Sequence, residues 1–270
     1  MSATITPLPR QRRHTLHFLN GVRDFAPVFL DTDVDMTALL EHRAAARREG
    51  RRYSLVSYVL YTAARVLAAH PEANAAISGR LRPRVARYPS AWGKLAYDRT
   101  VGGRRVVLTA VLPNLDRAGL DDVQRRVERC RDTDPSTLPE FAGALGMHRI
   151  PVPVGRTLYR AAVRSLRRRP TLSGTFAVSS LGHRPVDGFH SVGGTTITLG
   201  LGRISDRPVA RDGQVVVAPI MRISLTFDHR VIDGAEAADV LSDVKDALER
   251  FGATGSAFAT TPNCRETSSS

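Results

Sequence analysis

Lysine is nearly missing from this chain. Lys94 and Lys245 are its two lysines, so 37 of the 39 basic residues are arginine. Cysteine is equally scarce: Cys130 and Cys264 form no Cys-x-x-Cys pair and no Cys/His cluster. That argues against a disulfide framework and a structural zinc site, and predicts a reducing, cytoplasmic setting with no metal. No apolar run approaches the roughly 18–20 residues that cross a bilayer. The opening stretch MSATITPLPRQRRHTLHFLNG carries arginines but no apolar segment followed by a cleavage site. Neither a membrane span nor a secretory signal is expected. Acidic residues are outnumbered, 26 against 39, for a net charge of +13. Such a charge favours anionic partners: a phosphorylated cofactor, an acidic carrier protein or nucleic acid. The arginines are dispersed, with local clusters at 10–13, 47–52 and 164–169, and no RNP motif, finger or helix-turn-helix pattern accompanies them. The charge is therefore read as a solvated basic surface and nucleic acid is not expected as a partner.

What is present suits a globular protein. The 270 residues are 42% apolar, enough for one large domain or two small ones. Residues 1–20 are polar and basic and read as an arm, ordered only if it packs on something. PVFLDTDVD (27–35) alternates and reads as a strand. DMTALLEHRAAARREG (35–50) reads as a helix with Asp35 as N-cap and Gly50 as its stop. SLVSYVLYTAARVLAAHPEANAA (54–76) is apolar on most helical faces and predicts a buried helix limited by Pro71. Two strands flank the turn TVGG, and 119–134 is an amphipathic helix with Leu120, Val123, Val127 and Cys130 on one face. GRTLYRAAVRSLRRRP predicts a basic amphipathic helix ending before Pro170. Its arginine face is read as solvated, the alternatives being a membrane, carrier or phosphate surface. Strands are expected at 173–182, 194–204 and, as a pair, 214–228. A last helix ends near Gly252, and the tail 253–270 is expected to be disordered. Helices alternating with strands predict an α/β fold: a mixed sheet with flanking helices.

The densest chemistry lies in SLTFDHRVIDGAEAADVL (224–241). His229 stands between Asp228 and Arg230, with Asp233 four residues on and Gly234 after it. The strand delivers the histidine to its end and the turn into a helix holds it there, where side chains project into clefts. Its ordinary pKa of about 6.5 lets it take a proton near neutral pH. The flanking charges can fix the ring and the turn. An isolated His-x-x-x-Asp occurs often by chance.

DHRVIDG resembles the signature of the acyltransferase (E2) catalytic domain of 2-oxoacid dehydrogenase complexes, which has the chloramphenicol acetyltransferase-like fold. DVDMTALLEHR (33–43), HPEANAAISG (70–79), SGTFAVSSLG (173–182) and TLGLGRISDRPVARDGQVVVAPIMRISLTFDHRVIDGA (198–235) extend the resemblance over roughly 20–252. The resemblance implies a catalytic domain over 21–252. His229 would be the general base and Ser179 the hydroxyl that meets the tetrahedral oxyanion. Asp233 would hold the histidine loop, through an arginine near the N-terminus for which Arg12 and Arg13 are candidates. It also implies direct transfer from a coenzyme A thioester, acetyl-CoA in the simplest case, and a homotrimer whose active sites are shared between subunits.

The chain departs from that pattern too. No lipoyl domain, and so no lipoyl group, is expected on this chain. The usual G-L-x-x-P-V stretch is replaced by GGRRVVLTAVLPN (102–114). The closer resemblance is to stand-alone E2-like enzymes of actinomycete secondary-metabolite (antibiotic) pathways, some of which acetylate a small hydroxylated intermediate of the tetronate type. The acceptor expected is a small-molecule hydroxyl, and Arg164–Arg169 is the first place to seek contacts with the donor's phosphates. A dihydrolipoamide acyltransferase served by separate lipoyl proteins, and a non-catalytic E2-like scaffold, are the alternatives.

Overall fold

A computed structural model describes Ala3, residues 8–79 and residues 81–252. The tail expected at 253–270 lies outside the described residues. From the N-terminus come α1 (Arg13–Gly21), β1 (Pro27–Asp35), α2 (Thr37–Arg48) and α3 (Leu55–Ala69). Next are β2 (Ala75–Ser78), β3 (Arg84–Arg87), β4 (Gly93–Val101), β5 (Arg104–Leu112) and α4 (Leu120–Asp132). The remainder comprises α5 (Pro139–Met147), α6 (Val152–Arg164), α7 (Arg169–Ser173), β6 (Phe176–Ser180), β7 (Ile197–Arg211), β8 (Gln214–Asp228) and α8 (Gly234–Glu249). Six strands form one mixed sheet in the order β1-β8-β7-β6-β4-β5, and β2 and β3 make a separate antiparallel pair. The β4–β6 and β6–β7 pairings are parallel and the others antiparallel.

The core lies on one face of the sheet. Phe176 and Val178 of β6, Leu199 of β7, and Ile223, Leu225 and Phe227 of β8 point into it. Opposite them sit α3, through Tyr58, Leu60, Ala63, Ala64 and Leu67, and α8, through Ala237, Val240, Leu241 and Val244. Helix α3 is buried because it is apolar on nearly every face. Ser54 starts it, its Oγ accepting from the Ser57 amide at 3.1 Å. The helix ends at Ala69, just before Pro71 as expected. His70 precedes Pro71, which disfavours helical backbone in the residue before it, and His70 leaves the helical region at φ −113, ψ 76. Beyond this break Ala75–Ser78 forms a strand.

Other boundaries have equally local causes. Met36, not Asp35, occupies the N-cap of α2; Asp35, one residue before it, accepts from the Thr37 amide at 3.0 Å, and Gly50 at φ +80 ends the turn after α2. Gly102 and Gly103, at φ +56 and +73, supply the left-handed pair that a two-residue hairpin between β4 and β5 needs. The pair expected at 214–228 is one continuous strand. The basic helix expected at 155–170 begins earlier, at Val152, and ends at Arg164. Pro170 does not terminate that helix; it lies in the first turn of α7, where a missing N–H costs no hydrogen bond.

The N-terminal arm meets its condition for order: from Arg10 onward it is helical, and α1 packs on α6. The approach is close, since a Cβ on Gly155 would fall 2.5 Å from Nε2 of the buried His17. Among the described residues no helix is long and apolar enough to cross a membrane.

Candidate active site

Strand β8 runs through the sheet between β1 and β7 and ends at Asp228. Its odd-numbered residues from Met221 to Phe227 face the helices, so alternation turns Asp228 to the other face. Asp228 is buried, with 2% of its side chain exposed, and an isolated carboxylate there would be costly. It is not isolated. Arg230 turns back and donates Nε at 2.9 Å and a terminal nitrogen at 2.6 Å, a two-pronged contact. The Arg230 and Ala26 amides also point at Oδ1, at 3.2 and 3.4 Å. The bond to Asp228 raises the Arg230 pKa above its ordinary value, keeping the guanidinium charged. His229 sits inside this closed loop and its amide donates to the Ala26 carbonyl at 2.9 Å. The backbone of His229 is therefore fixed from both sides while its ring, 45% exposed, stays open.

Asp233 occupies the N-cap position of α8 with extended backbone, and its side chain makes no capping bond. It is 91% exposed, with Oδ1 3.4 Å from His229 Nδ1. The resemblance assigned the loop-holding role to Asp233; within this chain the buried carboxylate that holds the turn is Asp228. The Asp-x-Arg bracket around the histidine was the available signal. Arg13, one expected partner of Asp233, instead donates to the carbonyls of His148 and Ile150 at 3.4 and 3.2 Å. Asp228→Ala should destabilise the fold by about 3 kcal/mol, the usual cost of breaking a buried pair by removing one partner. Thermal unfolding against wild type measures it, and a change below about 0.5 kcal/mol, the size expected of a surface substitution, would show that the pair does not hold the turn.

Ser179 lies on β6. Phe176 and Val178 face the core, so Ala177 and Ser179 face the opposite side, where a Cβ on Gly193 would come 2.7 Å from the Ala177 Cβ. Ser180 points with Val178 toward the helices. Ser179 is half-buried and pairs with Gly200, which in turn pairs with Ser224 of β8. Gly200 is needed there, because a Cβ would fall 2.3 Å from the Phe189 carbonyl oxygen of the loop crossing this face.

The register decides what meets. His229 is five residues beyond Ser224, the residue level with Ser179, and two strand spacings aside. At ~3.3 Å per residue and ~4.8 Å per strand the two residues are about 19 Å apart. A single chain thus brings Asp233 to His229 and keeps Ser179 away from both.

The basic segment 164–169 is partly committed to the fold. Arg169 is half-buried, donating to the Ile77 carbonyl at 2.9 Å and the Gly194 carbonyl at 3.1 Å, and desolvation lowers its pKa. The departing stretch 102–114 forms the β4–β5 turn, β5 and the residues just after it, at the sheet edge opposite β1.

Residues 142–254, which include Ser179, His229 and Asp233, match the family model for the 2-oxoacid dehydrogenases acyltransferase catalytic domain. A probable dihydrolipoamide acetyltransferase from Listeria monocytogenes superposes with a TM-score of 0.68 at 18% identity, over 92% of this chain and 95% of that one. The Azotobacter vinelandii dihydrolipoamide acetyltransferase gives 0.69 at 21% identity, with 92% of each chain covered. The fold is that of the E2 acyltransferase catalytic core. The sequence resemblance to E2 is likewise shown. The dihydrolipoyllysine-residue acetyltransferase component of the pyruvate dehydrogenase complex from Staphylococcus aureus is 25% identical over 264 residues. That alignment takes in 91% of this chain and 51% of the relative, so the chain spans about half the length of the E2 components it resembles.

Proposed function

We propose that this chain is an E2-like acyltransferase that moves an acyl group, acetyl in the simplest case, from a coenzyme A thioester to a hydroxyl of a small-molecule intermediate. The observation that carries the reading is the His229 turn: an open imidazole on a backbone fixed by the Asp228–Arg230 pair, set in an E2 core fold. His229 takes the proton of the acceptor hydroxyl as its oxygen attacks the thioester carbonyl. Ser179 donates a hydrogen bond to the oxyanion that forms. As the C–S bond breaks, the imidazolium returns its proton to the departing thiolate, leaving ester and free CoA. Asp233 Oδ1, 3.4 Å from Nδ1, is placed to orient the ring. The Azotobacter enzyme supports these roles by analogy. A serine, a histidine and an asparagine have been studied in its mechanism, the last two with the four-residue spacing of His229 and Asp233.

Two copies are needed to complete such a site, because Ser179 and His229 are about 19 Å apart in one chain by strand geometry. We propose a homotrimer in which each site takes its histidine from one subunit and its serine from the next. Light scattering should give a trimer; a monomer with full activity would break the shared-site reading.

The second reading, transfer to or from a dihydrolipoyl group on a separate protein, is favoured by what the Staphylococcus and Azotobacter relatives act on. The hydroxyl reading is supported by the resemblance to stand-alone E2-like acetyltransferases, and a tetronate-type hydroxymethyl compound is the acceptor to try first. Acetyl-CoA, acetyl-dihydrolipoamide and an acetylated carrier protein, each offered with that acceptor, separate the two. Thiol release from acetyl-CoA that requires the hydroxylated acceptor is the expected result. Transfer only to dihydrolipoamide would give the second reading precedence.

A further inference from the structure

His70 ends α3 and opens HPEANAAISG, a segment no proposed catalytic role uses. Its ring is 17% exposed and lies against α8. Nδ1 is 2.9 Å from Glu236 Oε1 and Nε2 is 2.8 Å from Asp243 Oδ2. Those carboxylates are seven residues apart, two turns along one face of α8, so a single ring bridges two turns of the helix. Glu236 stands in the first turn, three residues after Asp233 and seven after His229.

Chemistry fixes the protonation state this geometry needs. A neutral imidazole carries one N–H, so it can donate to one carboxylate and must turn a lone pair toward the other. The imidazolium donates to both. We propose that His70 is a positioning residue: as an imidazolium it staples the first turns of α8 to the end of α3 and so holds the turn that presents His229. This rests on the acyltransferase reading only where it speaks of turnover.

The charged groups facing the ring are Glu236 and Asp243, both from α8. Glu72, on His70's own segment, is engaged by Arg87 through two bonds of 2.6 Å. Burial alone lowers the His70 pKa and is the largest single influence, yet the hydrogen bonds to Asp243 and Glu236, together with their charges, outweigh it and the net shift is upward. A histidine whose folded pKa exceeds its unfolded value of about 6.5 adds stability that is fully present below that pH and is lost as pH rises through the folded pKa.

The test is hydrogen exchange of the 230–243 amides, corrected for intrinsic rates, on wild type, His70→Gln and His70→Arg. Nitrogen NMR of the wild-type ring is recorded alongside. At pH 6 the ring should be doubly protonated. The Gln variant, neutral at every pH, should exchange in this segment at least about tenfold faster, the loss of roughly one charge-assisted bond. Protection in wild type should fall as pH rises through the folded pKa of His70. In His70→Arg, charged throughout, it should not fall. Turnover should track protection, with the donor KM unchanged. A neutral ring at pH 6, or equal protection in wild type and His70→Gln, would overturn the staple. Absence of acyl transfer in wild type would instead overturn the acyltransferase reading, and the exchange data would still decide the staple.

Discussion

His229→Ala is expected to lower turnover roughly 10²–10⁴-fold, the usual contribution of a positioned general base. The fold should survive the change. The ring is nearly half exposed; Asp233 Oδ1 lies 3.4 Å from its Nδ1 and the Phe227 ring lies at a centroid distance of 5.4 Å. The backbone amide that ties the turn to Ala26 remains in the variant. No buried polar group is stranded, so stability should move by less than about 1 kcal/mol, the ordinary range for a change outside the core. Burst and steady-state thiol release with acetyl-CoA and a hydroxylated acceptor measure the effect. A folded variant that turns over within about threefold of wild type would take His229 out of the proton-transfer role, since that is far below a general base's usual contribution.

Much of this was legible because the determinants are local. The alternation in PVFLDTDVD yields β1 at the predicted bounds. Ser54, Gly50 and the Gly102–Gly103 turn all act within a few residues, and the mixed sheet follows from how helices and strands alternate. Where reading failed, the deciding interaction was remote or two local signals competed. Pro71 limits α3 as expected, but the strand Ala75–Ser78 after it was not read, because its partner Arg84–Arg87 lies beyond the segment. Pro170 read as a stop because its place in a first turn depends on where α6 ends. The helicity of residues 13–21 depends on α6, more than a hundred residues away.

The site shows the same division. DHRVIDG identified His229 by resemblance, and the bracket of charge around it was visible. That Asp228 is the buried member and Asp233 the exposed one depends on which face of β8 is covered, and hence on the register with β1 and β7. The bond from His70 to α8 joins residues 166 and 173 positions apart. No periodicity within either segment points to it.

Ser179→Ala should lower turnover by roughly 10²–10³-fold, the loss typical of one missing oxyanion donor, without a comparable change in donor binding. The control is its neighbour. Adjacent residues on a strand face opposite sides. Ser180 lies on the helix side with Val178, and its Oγ is 3.4 Å from the Gly182 amide, a contact of the strand end. Ser180→Ala should therefore leave turnover within about threefold, as expected of a change outside the machinery. The pair also tests the shared site. Mixing Ser179→Ala with His229→Ala subunits under conditions that exchange protomers should regenerate activity, because some interfaces then combine an intact histidine with an intact serine. A site contained in one chain predicts no recovery, since every chain lacks one group. If Ser180→Ala is the damaging change, the oxyanion donor faces the helices and the proposed geometry is wrong; if mixing restores nothing while both variants still form trimers, the two residues do not meet across subunits.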